Sequence, residues 1–174
     1  MASLLAIFSS ILWGSADFFG GKLSKRYQAL AVTAVSQAFG LLIGITIILI
    51  SSSWLRPNLS WDGYFLSGVC AGLLGFIGLV AFYSGLATGR MGVVAPISAL
   101  SVLIPLTIAF INGEKPSSAQ LLGMGIALTG AVFASGPELK GGLAVKPIVF
   151  AVIAAFGFGA AVAFIAKGSA SSAI

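Results

Sequence analysis

Residues 93–134 read VVAPISALSVLIPLTIAFINGEKPSSAQLLGMGIALTGAVFA, and this stretch leaves the chain few possible folds. Two uncharged apolar runs, Val93 to Ile111 and about Ala119 to Ala134, flank one polar joint, Asn112-Gly113-Glu114-Lys115-Pro116. At ~1.5 Å per residue each run crosses, or nearly crosses, the ~30 Å hydrocarbon core of a bilayer. Gly113 is suited to stop the first helix, and Pro116 cannot continue it. Ser117-x-x-Gln120 is a capping box that starts the next helix. The spacing predicts a transmembrane helical hairpin, and the rest of the chain repeats the pattern.

Only 7% of the 174 residues are charged and 59% are apolar, against about 25% charged in a soluble domain. That leaves too little polar surface to cover a water-soluble globule. The net charge of +5 does not indicate nucleic acid, because the basic residues sit in short loops between apolar runs. With no histidine and four acidic residues, no metal site, no cofactor and no His-based catalytic group is expected. Cys70 is the single cysteine and can form no internal disulfide.

Six spans are predicted, at about residues 4–21, 30–50, 64–84, 93–111, 119–135 and 148–166. The first lacks the basic start of a secretory signal and reads as a span. Trp54, Trp61 and Tyr64 flank the third span as interfacial aromatics. Gly40-x-x-x-Gly44 in span two, Gly68, Gly72, Gly75 and Gly78 in span three, and Gly123, Ala127 and Ala131 in span five read as helix-packing seams. Pro147 is placed at the first turn of span six. The loops on one side carry Lys22, Lys25, Arg26, Arg90, Lys140 and Lys146, and those on the other carry Arg56, Lys115 and Lys167. The positive-inside rule then puts the N-terminus outside.

A shift of 145 residues lays span six on span one. Trp13 meets Phe158, Gly14 meets Gly159, Ala16 meets Ala161, Phe19 meets Phe164, Lys22 meets Lys167 and Ser24 meets Ser169. A five-span unit (1–136) followed by a linker and the first span of a second repeat (137–174) is the expected organisation. An odd number of spans inverts the second copy, a common transporter plan.

Several local patterns point the same way: Leu12-Trp13-Gly14, Ala81-Phe82-Tyr83-Ser84-Gly85-Leu86-Ala87, Val94-Ala95-Pro96-Ile97 through Ile104-Pro105, Gly113-Glu114-Lys115-Pro116, and Gln120-Leu121-Leu122-Gly123 through Gly130. In that order and spacing they resemble the EamA-type domain of the drug/metabolite transporter superfamily, over residues 4 to about 135. The resemblance implies an all-α integral membrane protein of ten spans in two five-span halves. It also implies export of small metabolites or drugs, proton-coupled or by exchange. The chain departs from the pattern by ending after span six, by having Gln37 where many members carry an arginine, and by a charge count that opposes their N-in topology.

Asp17 is the acidic residue set within a span. It reads either as a proton-coupling or cation-binding carboxylate or as a group near the interface that reaches Lys22 and water. Trp13 offers a flat surface to an organic substrate or packs against a helix or lipid. Gln37 binds substrate or, more commonly for such a group, hydrogen-bonds between helices. Tyr83 is an interfacial anchor or a pocket hydroxyl. Pro96 and Pro105 free backbone carbonyls that need partners, in a cavity or at a simple kink. Ser98 and Ser101, about one turn apart, face that cavity or bond their own backbone.

The expected function is a multi-pass exporter in the cell membrane, in contact with lipid and a small-molecule substrate. It would be completed by a second copy or a second half. The competing reading is a non-transporting scaffold or an inactive truncated remnant. An intramembrane enzyme lacks the necessary inventory, since no nucleophile–base pair is visible.

Overall fold

The computed structural model describes residues 2–51, 59–61, 63–139 and 144–172. Among these the chain is helical, with no strand: α1 (Ala2–Ser24), α2 (Ala29–Ser51), α3 (Tyr64–Thr88), α4 (Met91–Ala99), a 3-10 turn (Leu100–Val102), α5 (Leu103–Ile111), α6 (Ser118–Leu139) and α7 (Val145–Ser172). Five stretches are long and apolar enough to cross a membrane: α1, α2, α3, α4 to α5 taken together, and α7. A shorter apolar stretch lies in α6. Trp54, Arg56, Pro57, Asp62 and Lys140 lie outside the described residues, as does the side chain of Glu138.

The α5–α6 joint forms by local chemistry. Gly113 takes φ +85°, a conformation only glycine adopts without strain. The Glu114 N–H donates to Ala109 O at 3.0 Å and the Gly113 N–H to Phe110 O at 3.0 Å, which together make a Schellman stop. The capping box closes in both directions. The Ser117 N–H donates to Gln120 Oε1 at 2.8 Å, and the Gln120 N–H donates to Ser117 Oγ at 3.3 Å.

The core is the contact of α3 with α7. Leu79, Phe82, Tyr83 and Leu86 of α3 are buried with Ala151 and Ala154 of α7 and Val94 of α4. The two helices run antiparallel along their whole lengths, with Ser67 beside Gly168, Gly75 beside Ala161, Gly78 beside Phe158 and Gly89 beside Pro147. At the tightest point the backbones touch. A methyl added to Gly157 would stand 2.7 Å from the Gly78 Cα and 2.9 Å from the Leu74 carbonyl oxygen. Small residues let the helices approach this closely, as in membrane helix pairs generally. At the far end Lys167 of α7 lies over the Trp61 ring, 5.0 Å from its centroid.

The same contacts show that α6 crosses the bundle. Gly21 meets Leu86 and Met91, and Gly89 meets Pro147, so one end holds the C-termini of α1 and α3 and the starts of α4 and α7. Val94 lies by Gly85 at that end, whereas Ser101 and Ile104 lie by Gly159, farther along α7. The α4–α5 segment therefore leaves that end, and α6 has to return the chain to it. Its 22 residues reach about 33 Å at 1.5 Å per residue.

The structure decides one open reading and corrects one expectation. Span four crosses as one stretch, interrupted by a 3-10 turn between its two prolines. Pro105 cannot donate to the Ser101 carbonyl, and the chain tightens into the 3-10 turn over Leu100–Val102. The Ser101 carbonyl accepts a backbone N–H at the end of this turn and faces α7 rather than a cavity: a methyl added to Gly159 would be 2.6 Å from that oxygen. The glycine seams are also only partly used. Gly75 and Gly78 meet α7, but Gly40, Gly44, Gly68, Gly72 and Gly123 have open space where a side chain would stand, because those helix faces point out of the bundle.

Large apolar side chains cover the outside of α1 and α2, among them Leu4, Phe8, Leu42 and Leu49. In water such a surface would aggregate; in lipid it is the required exterior. Three hydroxyls, of Ser24, Thr33 and Ser67, are buried without a partner among the described residues. Thr33 is 0% exposed, and an unmet hydroxyl costs ~1–3 kcal/mol. Thr33→Val is thus expected to stabilise the fold by about 1 kcal/mol, read as a higher thermal midpoint in detergent. A lower midpoint would mean that the hydroxyl has a partner in the membrane.

Candidate functional site

Asp17, Gly20, Gly21 and Ser24 are spaced i, i+3, i+4, i+7 and so share one face of α1. This face is pressed against α3. The Tyr83 ring lies on Gly20, its hydroxyl and ring edge occupying the space a Cβ would need. One turn back along α1, the Asp17 carboxylate is half-buried. No hydrogen bond or ion pair engages Asp17 among the described residues.

Tyr83 forms the inner wall of a pocket of about 470 Å³ between α1, α2 and α3. Phe19, Gly20 and Leu23 supply the α1 wall, and Val32, Val35 and Ser36 the α2 wall. Tyr27 lines it at the α1–α2 turn. Its size suits a small organic molecule. The walls are apolar and aromatic, and no basic side chain lines them.

The other sequence candidates fall elsewhere. Trp13 is 64% exposed on the outer side of α1 and does not line this pocket. Gln37 is exposed beside the pocket-lining Ser36. Ser98 is buried, and its hydroxyl donates to Ala151 O of α7 at 3.4 Å, so it ties α4 to α7. Pro96 and Ser101 are half-buried on the α4–α5 segment, and Ser101 presents its carbonyl to Gly159 of α7. The candidates thus divide into an Asp17–Tyr83 pair at a pocket and an α4–α5 group sealed against α7. Sequence reasoning missed Gly20, which seats Tyr83, and Ser36. The signal for Gly20 was present in its spacing from Asp17.

Membrane-crossing helices around a pocket of small-molecule size define a multi-pass α-helical membrane protein that handles small solutes. Residues 1–136 match the EamA-like transporter family, and the chain belongs to that family. Membership points to a membrane transporter of the drug/metabolite superfamily. No curated protein and no solved structure gives a significant match.

Proposed function

We propose that this chain exports small metabolites or drugs, and that its preferred cargo is an organic amine with an apolar or aromatic body. One observation carries the reading: Asp17, a half-buried carboxylate with no hydrogen bond or ion pair among the described residues, follows Ala16 and precedes Gly20 by one turn on the α1 wall of an aromatic pocket that no basic side chain lines. A carboxylate held in a membrane span is costly and calls for a cation or a proton as its counterpart. Phe19, Tyr27 and Tyr83 offer ring faces to an ammonium group or to an aromatic body.

The transport path is completed by a second EamA-like unit. The α7 residues Phe158, Gly159 and Ala161 press on α3 and the α4–α5 segment. Their counterparts at the 145-residue shift are Trp13, Gly14 and Ala16. Trp13 is exposed, and nothing stands within 4 Å of where a Gly14 side chain would be. A second unit that buried α1 as this one buries α7 would place the Asp17 pocket between two related halves, where inverted-repeat transporters bind their substrates.

The test is flux of radiolabelled 2-phenylethylamine in membrane vesicles from cells that make the protein, with phenylacetate as the anionic control. Saturable amine flux above that of vesicles lacking the protein is expected, with no flux of phenylacetate. Equal amine flux in both vesicle types would overturn the amine assignment. Flux of phenylacetate alone would overturn the role given to Asp17.

A further inference from the structure

We infer that the groove between α1 and α2 seats an anionic phospholipid, with its phosphate on the α1–α2 turn and one acyl chain along the groove. The groove is open sideways: its walls at Phe19, Tyr27 and Val35 are 60%, 62% and 58% exposed. In a membrane an open apolar groove faces hydrocarbon chains. From Leu23 near the turn to Ala16 it runs along eight residues of α1, about 10 Å of helix, so it takes an acyl segment lying along the helix.

The mouth of the groove sets the headgroup. The α1–α2 turn carries Lys22, Lys25 and Arg26, all exposed. The Arg26 and Tyr27 N–H groups both donate to Leu23 O at 2.9 Å, which fixes the turn at the mouth. Arg90 precedes α4 at the same end, since Gly21 packs on Met91, and Lys146 precedes Pro147 there. A phosphatidylglycerol headgroup brings one uncompensated negative charge to this cluster. A phosphatidylcholine headgroup is zwitterionic with no net charge, so the cluster gains less from it. The groove is the pocket given above to the amine, so acyl chain and amine would occupy it in turn; the inference itself rests on the groove and its basic mouth.

The test is native mass spectrometry of the purified protein, equilibrated with equimolar phosphatidylglycerol and phosphatidylcholine of identical chains. Preferential retention of phosphatidylglycerol is expected. Each basic residue removed should lower its affinity about fivefold, so the double variant Lys25→Gln/Arg26→Gln should lose about 25-fold. Ala31→Phe fills the groove from α2 without changing charge and should also release the lipid. Val35→Phe does the same from a second position if the first variant misfolds. Equal retention of the two lipids, or no loss in the double variant, would overturn the inference. Loss in the double variant with full retention in both groove-filled variants would reduce it to diffuse surface charge. Displacement by 10 mM (about physiological) inorganic phosphate would show a free-anion site in place of a lipid seat.

Discussion

Gly157→Leu is expected to abolish folded protein, and Gly157→Ala to destabilise it by about 3 kcal/mol or more, the upper end for overpacking. The clash is with backbone. A Cβ at Gly157 meets the Gly78 Cα and N and the Leu74 carbonyl, none of which can rotate away. The helices would have to separate, and the burial of Leu79, Phe82, Ala151 and Ala154 depends on their approach. Gly40→Ala is the internal control. It is the same substitution in a membrane helix, but it has open space around it and should leave the melting midpoint unchanged or slightly raised. Thermal melts of the two alanine variants in one detergent give the comparison. Equal midpoints would mean that the α3–α7 contact is not the core of the protein.

Asp17→Asn is expected to lower amine flux about 100-fold, the loss from removing one charge-assisted contact of up to ~3 kcal/mol in a desolvated site. Tyr83→Phe should lower it about tenfold, since it removes a neutral hydroxyl of ~1 kcal/mol or slightly more. Gln37→Leu, on the same helix as Ser36 but outside the pocket, should leave flux within about twofold, the usual limit for a surface substitution. Flux assays on matched amounts of membrane protein order the three variants. An unchanged rate in Asp17→Asn would remove the carboxylate from the mechanism.

The elements encoded over a few residues were the ones legible from the sequence. Gly113, Pro116 and the Ser117/Gln120 pair specify their joint within nine residues, and the joint forms as read. Long-range pairing was not legible in the same way. The glycines of α2, α3 and α6 look alike in the chain, yet among the described ones only Gly75, Gly78 and Gly85 of α3 meet a partner, because α7 fits there. Pro105 announced a defect in span four, but not that Gly159, 54 positions later, would receive the exposed carbonyl. Asp17 and Tyr83 were each named as candidates. What joins them is Gly20, and a missing side chain reveals its role only when the neighbouring ring is seen to occupy the gap.

The most direct test of the central claim, that substrate binds between α1, α2 and α3, is photolabelling with 4-azidophenethylamine followed by peptide mass spectrometry. The account predicts adducts on Phe19–Tyr27, on Val32–Ser36 and at Tyr83, competed by unlabelled 2-phenylethylamine and lost in Asp17→Asn. A second surface groove on α6, lined by Leu121, Leu122, Gly125, Ile126, Thr129, Gly130 and Phe133, supplies the contrast. Competed labelling confined to that groove would contradict the assignment of the site.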